Sequence, residues 1–234
     1  MIKERRDPVH VEIARDLGIA IVTGERPVGS FLPGEIELST QLGVARSVVR
    51  EALRTIAAKG LIESRPRAGT RVRERAAWNM LDPQLLGWMF EGAPPLAFVR
   101  NLFDLRMIVE PAAAERAAVK RSAAQLSRMG HSLEVMAQQG LHSEEGQHAD
   151  QQFHATLLEA TGNELLVNLS ATIGAAVRWT TYFKFRASRR PRDGVPSHRT
   201  LFEMIANSDA DGARAATVAL LKQAQLDTEA ALDG

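Results

Sequence analysis

The chain has no cysteine. That excludes disulfides, thiolate metal sites and a cysteine nucleophile, and it fits a reducing compartment, so a cytoplasmic protein is expected. Long apolar runs are absent too. The charged start "MIKERRDPVH" leads into none, so no secretory signal is read there. Nothing approaches the ~20 apolar residues of a membrane span. No Ser-His-Asp, P-loop or Gly-rich cofactor motif is seen, which weighs against an enzyme. No repeat and no low-complexity segment occurs. An excess of one charge is also missing, with 29 Lys and Arg against 28 Asp and Glu.

What is present is an ordinary globular mixture. The 234 residues are 45% hydrophobic and 24% charged, enough for one large domain or two modest ones. The charge is unevenly placed. Residues 44–75 hold nine Lys or Arg and three Asp or Glu, a local excess of six that leaves the remainder at net −5. A basic N-terminal segment points to a polyanion; on charge alone, a solvated face explains it as well.

Apolar spacing predicts helices over 9–23, 35–42 and 45–59, with glycines at 43 and 60 as stops. "LIESRPRAGTRVRE" then reads as two short strands, 61–65 and 70–74, around a Pro/Gly turn. Helix, short helix, tight turn, helix and basic hairpin make a winged helix-turn-helix over 1–75. Its third helix suits a major groove, with Arg46, Ser47 and Arg50 at its leading end and the wing arginines near phosphate or minor groove. Residues 76–95 form a Trp- and Pro-rich connector with a short helix at 83–91. Beyond it, 96–234 reads as an all-helical antiparallel bundle, with helices near 96–121, 123–139, 144–161, 163–186, 197–207 and 211–231. The fold class is therefore mainly α.

"DQQFHATLLEATGN" (150–163) places Asp150 and His154 one turn apart on a face that also carries Phe153, Leu157 and Leu158. His198 opens another apolar-striped helix. An inward carboxylate and two imidazoles suit a divalent cation; a salt bridge or satisfied polar pair fits the same spacing. Arg106 and Glu110 are an i,i+4 pair, read either as a plain ion pair or as an arginine free to clamp a carboxylate. Arg178 and Trp179 lie mid-helix in a segment expected to line a cavity.

"LPGEIELSTQLGVARSVVREALRTIAAKGLIESRPRAGTRV" (32–72) resembles the DNA-binding domain of the GntR family of bacterial repressors. The resemblance implies DNA contacts at Arg46, Ser47, Arg50 and Gly69, with Arg67 and Thr70 of the wing as further candidates. Ile36 stands where the family often has an arginine, which implies a variant operator. "LFDLRMIVEPAAAERAA", "DQQFHATLLEATGNELL" and "SHRTLFEMI" resemble the FCD effector domain of the FadR subfamily. That implies metal ligands at Asp150, His154 and His198, and an effector carboxylate held by Arg106, with Arg178 and Trp179 as further effector candidates. Leu220 stands where a further histidine is common. Zinc is the first expectation, with nickel and manganese also suited. "WNMLDPQLLGWMFE" (78–91) is similar to a connector in the galactonate operon repressor group. Together these imply a homodimeric repressor that binds a palindromic operator and is released by a small carboxylate, a sugar acid such as an aldonate. A metal-responsive regulator, an acyl-CoA-type sensor and a metal-dependent hydrolase are the rivals.

Overall fold

The computed structural model describes residues 8–65, 69–187 and 191–232. The chain divides into two compact units, 1–92 and 93–234.

In the first unit, α1 (Val9–Val22), α2 (Glu35–Leu42) and α3 (Arg46–Ala58) surround a small core. Ile13 and Ile21 of α1 face Val49, Ala52 and Ile56 of α3, all buried. The turn between α2 and α3 uses Gly43 at φ +65°, where a side chain would be strained. Ser39 closes that turn, its hydroxyl donating to the carbonyl of Val44 at 2.6 Å. The wing holds three strands rather than the expected two: β1 (Phe31–Leu32), β2 (Ile62–Arg65) and β3 (Gly69–Val72), antiparallel in the order β1-β3-β2. The extra strand is two residues inside a Gly/Pro-rich loop, too short to show periodicity.

The sequence places the connector over 76–95. Residues 76–92 belong to the first unit, and α4 (Pro83–Met89) packs on α1. Asp82 caps α4, accepting from the backbone N–H of Gln84 and Leu85. The same carboxylate takes Lys59 Nζ at 2.8 and 2.9 Å. Buried Trp88 lies against Gly18, where a Cβ would sit 2.3 Å from the indole ring.

Every regular element described in the second unit is a helix: α5 (Leu96–Lys120), α6 (Ala123–Gln139), α7 (Glu144–Glu159), α8 (Glu164–Asn168), α9 (Ser170–Ala187), α10 (Val195–Ala206) and α11 (Ala210–Leu232). Ion pairs Arg100–Glu229 and Glu115–Arg214 show that α5 and α11 run antiparallel. Ala113, Ala114, Ala117 and Ala118 of α5 are fully buried, small enough for close helix approach. Phe153, Leu157, Met129, Ile173, Leu201 and Leu221 fill the centre. The single helix expected over 163–186 is two, broken at Leu169 without a Gly or Pro. No described helix is long and apolar enough to cross a membrane.

Candidate functional site

Helix starts fix the register of the site. Ser143 caps α7 by accepting from Gly146 N–H, which places Asp150 and His154 two and three turns in, both facing the core. Asp193 accepts from Val195 N–H and starts α10, which brings in His198. All three side chains are buried.

Asp150 Oδ1, His154 Nε2 and His198 Nε2 form a small triangle with edges of 3.0, 3.2 and 3.5 Å. The far nitrogens of both imidazoles are occupied. Nδ1 of His198 lies 2.9 Å from the carbonyl of Gly194, and Nδ1 of His154 lies 2.5 Å from Glu110 Oε2, an approach that needs a shared proton. These partners assign each ring N–H to Nδ1 and leave Nε2 as a lone pair. Two nitrogen lone pairs and a carboxylate oxygen thus face one point. Asp150 Oδ1 has no hydrogen-bond donor aimed at it. Only a positive charge, a proton or a metal ion, makes such a set tolerable inside a core.

The donors fit a cation. Donors ~2.1 Å from a common ion stand ~3.4 Å apart at the tetrahedral angle and ~3.0 Å apart at right angles. The observed edges span that range. Burial works to raise the Asp150 carboxyl; when a proton rather than a metal occupies the point, His198 carries it on Nε2, and its charge and hydrogen bond hold the carboxyl well below the usual carboxylate range. Burial likewise lowers His198, and Asp150 overrides it, so the imidazole pKa rises.

Glu110 is the residue that sequence reasoning underused. It is fully buried, with Oε1 accepting from Arg106 Nε at 2.6 Å and Oε2 facing His154. Burial alone would raise its carboxyl, but Arg106 and His154 hold it down to about 2. The i,i+4 spacing from Arg106 carried the first contact; the second crosses between helices and leaves no local signal.

A pocket partly open to solvent adjoins the triad. Arg106, Thr181, Lys184, Ser197, Gln223 and Asp227 are among its lining residues. Leu220 also lines it.

In the first unit Arg46, Ser47 and Arg50 are exposed along the leading end of α3. Arg50 is engaged by Glu35, donating through Nε and Nη2 at 3.0–3.3 Å. That hydrogen bond lowers the Glu35 carboxyl and raises the guanidinium. An exposed pair of this kind is weak, so it orients Arg50 without locking it. Gly69, at φ +86°, pairs with Arg65, and Thr70 shares a hydroxyl contact with Ser64 at 2.8 Å. Arg67 lies outside the described residues.

Residues 10–72 match the family described as bacterial regulatory proteins, gntR family, and residues 101–223 match the FCD domain. The chain belongs to the GntR family. This GntR regulator is 32% identical to the uncharacterized HTH-type transcriptional regulator YieP of Escherichia coli K12, over 90% of this chain and 91% of that one. It is 31% identical to the galactonate operon transcriptional repressor of the same organism, over 88% and 90%. The solved structure of Lar from Listeria monocytogenes superposes with a TM-score of 0.69 over 97% of this chain and 99% of that one; its 16% identity supports the fold alone. The family matches place the α3 arginines in the gntR segment and the triad in the FCD segment of this GntR regulator.

Two effector candidates lie away from the triad. Arg178 and Trp179 do not line the triad cavity. Val177, Thr180, Thr181 and Lys184 do, at the i, i+3, i+4, i+7 spacing of one helix face. At 100° per residue, 178 and 179 turn away from that face. Arg178 is exposed, 3.8 Å from Glu144, and Trp179 packs edge-on against Tyr182.

Proposed function

We propose that this GntR regulator is a homodimeric repressor released from a palindromic operator by an anionic hydroxy acid, a sugar acid of the aldonate class. In this reading Asp150, His154 and His198 hold one divalent metal, zinc by imidazole preference, with nickel or manganese also suited. The observation that carries it is the convergence of three lone pairs on one point beside a cavity that also presents Arg106. The metal would supply a positive pole for hard oxygen donors. Three protein ligands leave coordination positions open, and Leu220 provides no fourth. Arg106 keeps its outer nitrogens for a carboxylate while Nε stays on Glu110. Thr181 positions Asp150, donating to Oδ2 at 3.2 Å.

At the other unit, Arg46, Ser47 and Arg50 read the major groove, and Arg67, Gly69 and Thr70 follow the backbone from the wing. Release requires that the acid bind the operator-incompetent arrangement more tightly.

The test is a thermal-shift screen of aldonates with and without chelator, beside operator binding. An aldonate at about 100 times its Kd stabilises by ~2.7 kcal/mol. Stabilisation and operator release that both vanish with chelator are expected. A metal-stripped protein that responds equally well would reduce the triad to a polar cluster lining a pocket.

A further inference from the structure

The cavity extends well past the triad. Leu220 and Asp227 both line it, and the seven-residue step from one to the other along α11 covers about 10 Å. A two- or three-carbon acid would not span that length of the lining. The Asp227 end of it is chemically distinct. Lys184 of α9 is buried there, and its ammonium carries three donors. Among the described residues its hydrogen-bond acceptor is the Arg192 carbonyl, at a long 3.3 Å. Burial lowers the Lys184 pKa, opposed first by the charge of Asp227 and then by Asp150 and Asp193. Asp227 faces the same space, with Oδ1 steadied by Gln223 Nε2 at 2.7 Å. Asp193 lines the space as well.

A second anionic group placed here would meet two carboxylates, Asp227 and Asp193, against a lysine they already offset. A hydroxyl meets the opposite situation. It donates to Asp227 and accepts from Lys184, using both halves of its hydrogen-bonding capacity. We infer that Lys184 and Asp227 form a polyol-reading end, which selects a monoanionic acid with a hydroxylated tail and turns away diacids and short hydroxy acids. The inference rests on the metal and hydroxy-acid reading above and assigns the specificity within it. Sites built to hydrogen-bond a hydroxyl discriminate strongly against ligands that lack it.

The experiment is calorimetry on the full chain loaded with one equivalent of zinc. The probes are galactonate and gluconate, the diacids galactarate and glucarate, and lactate. In the wild type, at least one aldonate should bind roughly 30-fold or more tighter than its diacid and than lactate. Asp227→Asn is near-isosteric at a partly exposed position. It should weaken the aldonate about 10-fold, strengthen the diacid, and leave zinc affinity unchanged. Lys184→Met should weaken the aldonate about 10-fold with lactate unaffected. An aldonate-to-diacid ratio unmoved by Asp227→Asn overturns the inference and leaves the effector reading standing. Failure of all five acids to bind the zinc-loaded wild type removes both.

Discussion

Replacing Glu110 by Gln would test the buried network at its centre. One carboxylate oxygen accepts from Arg106 Nε at 2.6 Å, and the other lies 2.5 Å from His154 Nδ1. An amide has one accepting oxygen and one donating nitrogen. If the nitrogen faces His154, the imidazole must move its proton to Nε2 and aim it at the point where the three lone pairs meet. If the nitrogen faces Arg106, the guanidinium loses its acceptor, and in either orientation this group, only 2% exposed, loses its counter-charge. Breaking a buried charged pair from one side costs ~3–5 kcal/mol. For a unit of this size that lowers Tm by roughly 10 °C. Loss of a carboxylate behind a ligating histidine costs about 10- to 100-fold in metal affinity. Zinc titration with a competing chelator measures the second quantity, and melting of metal-free protein measures the first. The cobalt-substituted protein adds a coordination-sensitive absorption spectrum that a packing defect alone would not change. Wild-type zinc affinity in Glu110→Gln would refute the assignment of the His154 proton to Nδ1.

Arg46→Ala and Arg50→Ala should each cost ~1–3 kcal/mol on the specific operator and much less on random DNA, by fluorescence anisotropy at fixed salt; equal losses on both would make them phosphate contacts. Gly18→Ala should destabilise the first unit by about 1–3 kcal/mol, because its Cβ would sit 2.3 Å from the buried Trp88 ring, and denaturant melts of the isolated mutation read it directly. Zinc affinity should climb with pH from about 6.5 upward. Asp150 raises the His198 pKa, so in metal-free protein its pairing energy is fully present below the unfolded pKa and is lost as pH rises through the folded one. Metal-free melts should therefore fall across that window while zinc-loaded melts do not.

Sequence periodicity located most of the helices because each buries one stripe. The 144–161 pattern and the observed α7 share a start, set by the Ser143 cap. The buried polar cluster was legible for the same reason: Asp150 and His154 occupy the buried stripe, where polar residues are conspicuous. What stayed hidden depends on contacts between distant segments. β1 exists only because β3 offers it an edge. Glu110 looked sufficiently explained by its neighbour Arg106, and its contact with His154 crosses from α5 to α7. No neighbouring pattern on α9 fixed which stripe faced the cavity, so the sequence could not separate Arg178 and Trp179 from the lining residues Val177, Thr181 and Lys184.

The packing of Trp88 on Gly18 bears on how chimeric regulators are cut. A fusion that exchanges DNA-reading heads would naturally be joined after the wing, near residue 75. That junction would discard Trp78, whose indole donates to the Arg73 carbonyl, and Asp82, which neutralises Lys59. It would also strip the aromatic cover from α1 and leave an open slot along Gly18. A transplanted head keeps its own stuffing only if the graft carries the chain through Gly92, so the seam belongs just ahead of Pro94-Pro95.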